Sequence, residues 1–135
     1  MQAITIAIII ILIIIGLLHI YWAIGGTVGL DKALPTKNGT LLIKPSKILT
    51  LIIGILLIIF ATIAYLLQYS NINSSYLINS GWILSFIFTI RAIGEFNAVG
   101  FFKKIKNTTF AKYDTKYFSP ISMSLGIVFA ILSYR

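Results

Sequence analysis

Arg91 and Glu95 lie inside an otherwise apolar run, Leu77 to Phe102, and the chain's single histidine, His19, lies inside another. A charge at the centre of a membrane helix costs about 2.5–3.5 kcal/mol on insertion scales, so such a residue is read first as functional. Arg91 and Glu95 are four residues apart, so on a helix they share a face and can pair. Two chemistries suit this set. His19 could act as general acid or base, with Glu95 as its partner and Arg91 as an anion clamp, in an enzyme acting on a lipid or isoprenoid-like substrate. The same groups could instead bind or carry a small molecule, a lipid head group or a proton. The plainer alternative is polar glue between helices in a structural or accessory subunit.

The elements that must position these residues follow from composition. Of 135 residues, 59% are hydrophobic and 10% are charged, against about 25% charged in soluble domains. Mean hydropathy is +0.99. These values define a membrane protein. Four apolar segments, approximately 3–24, 48–69, 77–102 and 118–134, are each close to the length that crosses about 30 Å of hydrocarbon. The expected fold is all-α, a polytopic four-transmembrane-helix bundle in a single membrane domain of residues 1–135. The first segment has no basic residue before its apolar core, which is too long for a signal peptide; it is read as a retained span.

The charge of +8 lies in loops, which fits topology and anionic lipid head groups better than nucleic acid. Lys32, Lys37, Lys44 and Lys47 fall in one loop; Lys103, Lys104, Lys106, Lys112 and Lys116 fall in another; the link Ser70–Tyr76 is uncharged. The positive-inside rule puts both lysine loops in the cytoplasm and both termini outside, in a bacterial plasma membrane. The lysines are read as membrane-surface anchors. A homo-oligomer is left open.

Small residues line one face of each segment: Gly16, His19, Ala23 and Gly26; Thr50, Gly54, Ala61, Ala64 and Gln68; Gly81, Ser85, Thr89 and Ala92; Ser119, Ser122, Gly126, Ala130 and Ser133. Such stripes let helix backbones approach where lipid supplies no hydrophobic drive. Trp82, Phe86, Ile90 and Ile93, on the far side of the third helix, should face lipid. With the third helix ending near Phe102, Arg91 is about 15 Å and Glu95 about 10 Å from its end, and His19 about 10 Å from Gly26. A buried cluster of His19, Arg91 and Glu95 in the cytoplasmic half is therefore expected, with Tyr21 and Asn97 as outer members. Asp114 could cap a short helix, or Ser119 could cap the fourth span with Pro120 at its first position. Alternatively Asp114 folds back over the cluster and pairs with Arg91 or a loop lysine.

Several chemistries lack support. There is no cysteine, which removes disulfides, thiol catalysis and thiolate metal sites. One His, one Glu and one Arg do not make a metal site, and no cofactor is implied. No nucleophile elbow and no phosphate-loop pattern is present. Gly25, Gly26 and Gly29 are read as ending the first helix.

Three stretches carry a resemblance. They are His19-Ile-Tyr21-Trp22-Ala-Ile-Gly25-Gly26, then Arg91-Ala-Ile-Gly94-Glu95-Phe96-Asn-Ala-Val-Gly100-Phe101-Phe102-Lys103, and Phe110-Ala111-Lys-Tyr-Asp114-Thr115-Lys-Tyr-Phe-Ser119-Pro120. With this spacing the chain resembles a family of small four-span bacterial membrane proteins known as a domain of unknown function. The resemblance implies an architecture and a motif set, and no activity.

Overall fold

A computed structural model describes residues 1–134. Four helices are long and apolar enough to cross a membrane: α1 (Gln2–Ala23), α3 (Lys47–Tyr69), α4 (Ser75–Ile93), and a last helix spanning Thr109–Ser133. In lipid every backbone N–H and C=O must find a partner within the chain, and a helix supplies them locally. The last helix starts as α5 (Thr109–Tyr113), widens into a π-turn (Asp114–Phe118), and continues as α6 (Ser119–Ser133). A short helix α2 (Leu30–Ala33) and a small hairpin, β1 (Thr36–Lys37) with β2 (Thr40–Leu41), fill the first lysine loop. Asn38 and Gly39 turn that hairpin with positive φ, 51° and 78°, as a two-residue turn requires.

Helix ends follow side-chain chemistry. The α1 terminus is a Schellman motif: Gly26 N–H donates to Tyr21 O at 2.9 Å and Gly25 N–H to Trp22 O at 3.1 Å. Gly25 has φ 107°, which a glycine adopts without strain. Ser46 Oγ accepts from Leu49 N–H at the start of α3, and Thr108 Oγ1 from Ala111 N–H at the start of α5. Neither Asp114 nor Ser119 caps a helix, because the helix is already running through both. Pro120 therefore sits inside it. Its ring would crowd the carbonyl four residues back in a regular α-helix, and the wider π-turn immediately before it makes room.

The helices pair as two antiparallel hairpins, α1 with α3 and α4 with α6. Thr5 near the start of α1 donates from Oγ1 to Gln68 near the end of α3 at 3.1 Å. Gly16 and Gly54 are the tightest point of that seam: a Cβ added to Gly54 would lie 2.8 Å from Gly16 O. In the second hairpin Ser85 Oγ donates to Gly126 O at 2.7 Å, and a Cβ on Gly81 would overlap Ser133 Oγ. Between the hairpins Ala61, Ala64 and Leu67 of α3 join Leu84, Phe88, Leu125 and Phe129 in one apolar core. Phe88 stacks on Phe129, with ring centroids 5.9 Å apart. Trp82, Phe86 and Ile90 point away from this core and are exposed.

The third helix ends at Ile93, not near Phe102. Gly94 has φ 86°, and the chain turns back on itself there. Arg91 is thus in the last turn of α4, about 3 Å of rise from its end, rather than midway down a span. Because the long helices alternate in direction, the end of α4 lies at the same end of the bundle as the close of α1 and the starts of α3 and α5.

Candidate functional site

The segment after α4 is a compact loop built on two glycines. Gly94 (φ 86°) and Gly100 (φ 90°) lie back to back: a Cβ on Gly94 would overlap Val99 O, and one on Gly100 would overlap Ile93 O and the Gly94 Cα. Phe101 N–H donates to Ala92 O at 2.8 Å, and the Lys104 and Ile105 N–H groups to Asn97 O at 2.9 Å. Glu95 belongs to this loop. Its Oε1 accepts from the Ala98 N–H and, at 3.1 Å, the Val99 N–H. It is solvent-exposed and does not pair with Arg91. The helix breaks between the two residues, so their four-residue spacing no longer puts them on one face.

Arg91 pairs instead with Asp114, from the start of the last helix. Asp114 is fully buried and accepts three hydrogen bonds. Its Oδ1 takes one from Arg91 Nη2 at 2.8 Å; its Oδ2 takes one from the Gly100 N–H at 2.8 Å and one from Lys103 Nζ at 3.0 Å. Lys103 is only 2% exposed. Its ammonium also donates to Gly100 O at 2.8 Å and Thr115 Oγ1 at 2.6 Å. All three of its protons are used, which is how a buried ammonium is tolerated. Lys103 is therefore an internal cation and not a surface anchor. The sequence offers a loop lysine as a partner for Asp114 but does not single out Lys103, because a lysine among lysines reads as solvated. The signals were Gly94 and Gly100, glycines that interrupt an apolar helical pattern and so mark a turn.

The network holds two cations and one anion, a net charge of +1. Arg91 Nη2 is bound to Asp114, while Arg91 Nη1 is buried with no partner. A charged donor left in this state is costly, and it suits a carboxylate or phosphate oxygen. The Arg91 side chain as a whole is 34% exposed, although Nη1 itself is buried.

The other expected members lie elsewhere. His19 is on the α1–α3 seam; its Nδ1 is 2.8 Å from Ile15 O, and its ring meets Trp22 edge-on at 5.1 Å. Tyr21 is exposed, with its ring against the Gly26 backbone. Trp22 Nε1 donates to Val28 O at 2.8 Å. The His19–Gly26 stretch thus builds a helix end, and the Arg91–Lys103 and Phe110–Pro120 stretches build the charged network. Lys32 of α2, in the loop after the first stretch, lies over the Tyr113 ring, 5.2 Å from its centroid.

Fold and network together define an all-α, multi-pass membrane protein with a buried cationic knot at one end of its bundle. The chain belongs to the family described as "Protein of unknown function (DUF3995)", whose model matches residues 12–129. No curated protein and no solved structure matches it.

Proposed function

We propose that this protein is a binding module of the bacterial cell membrane that holds an anionic group, foremost a lipid head group, on Arg91. The observation that carries this is the buried, unpartnered Nη1 of Arg91 in a network of net positive charge. Asp114 orients the guanidinium through Nη2, and Lys103 keeps Asp114 from neutralising it fully. The position of Arg91 in the last turn of α4 suits a ligand at head-group level. By the positive-inside rule this end of the bundle is cytoplasmic and both termini are external.

The test is retention of phosphatidylglycerol by the purified protein, followed by native mass spectrometry. Arg91→Gln should weaken retention about tenfold, corresponding to one lost charge-assisted contact. Glu95→Gln and His19→Ala should change it less than about twofold, since neither touches the guanidinium. Equal loss in all three variants would refute a site at Arg91.

A further inference from the structure

A second feature at the same end of the bundle is separate from Arg91. The β1–β2 turn and the segment leading into α5 face each other across a groove of about 410 Å³, whose lining includes Lys37, Asn38, Gly39, Lys104, Asn107 and Thr108. That volume is within the range of small-ligand sites. The lining comes from two loops far apart in sequence, and it holds two cations and no acid.

Among the described residues, nothing neutralises those cations. Only three acids exist against 11 Lys and Arg. Asp114 is occupied by Arg91 and Lys103, Glu95 by backbone N–H groups, and Asp31 does not line the groove. Among the described residues, Lys37 and Lys104 form no ion pair, and the Asn38 and Asn107 amides make no side-chain hydrogen bond. Two lysines and two asparagines line this one polar cleft. Folding has already fixed the backbone beneath them: Asn38 and Gly39 are held in left-handed turn geometry, and Lys104 is pinned by its N–H to Asn97 O.

We infer that this groove is a phosphate-binding site, independent of the Arg91 reading. A tetrahedral oxyanion offers enough acceptors for all four side chains, and two lysines match its charge. The groove is formed by the loops that precede α3 and α5, outside the long apolar helices, which suits the phosphate of an anionic phospholipid at the membrane surface. Free phosphate shares the chemistry and is the other source.

The test uses the full chain in nanodiscs of phosphatidylcholine, with phosphatidylglycerol titrated in or with inorganic phosphate added to the buffer. Joint replacement Lys37→Gln and Lys104→Gln should weaken phosphatidylglycerol binding about tenfold or more, whereas Lys47→Gln with Lys112→Gln, an equal charge loss outside the groove, should weaken it about twofold. Asn107→Asp keeps both lysines but adds a carboxylate, and it should match the groove pair. Arg91→Gln should remove the separate Arg91 component of phosphatidylglycerol binding and leave the affinity of the groove component unchanged, so the two sites fail separately. Saturable binding of inorganic phosphate, lost in the same variants, assigns the groove to the soluble ion instead of the lipid. Equal weakening by both lysine pairs means diffuse surface attraction and overturns the site. So does undiminished binding in Asn107→Asp.

Discussion

Replacing Asp114 by Asn changes one charge and almost no volume, and so isolates the role of the carboxylate in the network. Among the described residues Asp114 is the sole counter-charge for Lys103, whose side chain is 1% exposed, and it also receives Arg91 Nη2 at 2.8 Å. In Asp114→Asn the amide must turn its NH₂ toward one of two donor sets, either Arg91 or the Gly100 N–H and Lys103 pair. At least one hydrogen bond is lost, and a buried ammonium is left uncompensated. Removing one partner of a buried ion pair costs about 3–5 kcal/mol, a large share of a total stability of about 5–15 kcal/mol. Arg91, being partly exposed, loses less, because solvent can take up its charge. The expected result is a fall in thermal midpoint on the order of 10 °C, measured in one detergent at one protein concentration. Adding Lys103→Met to Asp114→Asn removes the stranded cation, and the double variant should be more stable than Asp114→Asn alone. A shift below about 0.5 kcal/mol, typical of a surface change, would falsify the buried network. Strict additivity in the double-mutant cycle would show that the two side chains do not act on each other.

Three further outcomes are expected. Gly100→Ala should destabilise far more than Gly39→Ala: the latter meets open space and carries only the left-handed penalty of about 1–2 kcal/mol, while the former drives a Cβ into the Ile93 carbonyl. Equal melting temperatures in the two would contradict the back-to-back glycines. Gly126→Leu should disrupt the α4–α6 hairpin, because even a Cβ there lies 3.1 Å from Ser85 O; Ile90→Leu, on the exposed side, should be nearly silent in the same thermal assay. For topology, a cysteine placed at Ser74 should react with an impermeant thiol reagent in intact cells, and one at Asn38 or Asn107 should not; the reverse pattern inverts the assignment.

The number of helices, their approximate placement and their faces were legible in the sequence. Each depends on local periodicity and composition, and lipid enforces both strongly. The small residues Gly16, Gly54, Gly81, Ser85 and Gly126 stand at the closest helix contacts, and Trp82 and Phe86 face outward, because a face is set by 100° per residue and nothing more distant. The partners of the charged residues were not legible in the same way. Arg91 and Glu95 look like a helical pair until Gly94 breaks the helix between them, and apolar residues continuing to Phe102 conceal that break. Once the chain reverses, Gly100 rests on Gly94, Lys103 turns inward, and the π-turn before Pro120 brings Asp114 to meet both cations. Asp114 is 23 residues from Arg91. A contact at that separation depends on two positive-φ glycines and one widened helical turn acting together. The sequence offered the pairing of Asp114 with Arg91 or a loop lysine as one alternative beside helix capping. Only the tertiary structure decided that Asp114 and Arg91 bind each other, that Lys103 joins them, and that His19 and Glu95 do not.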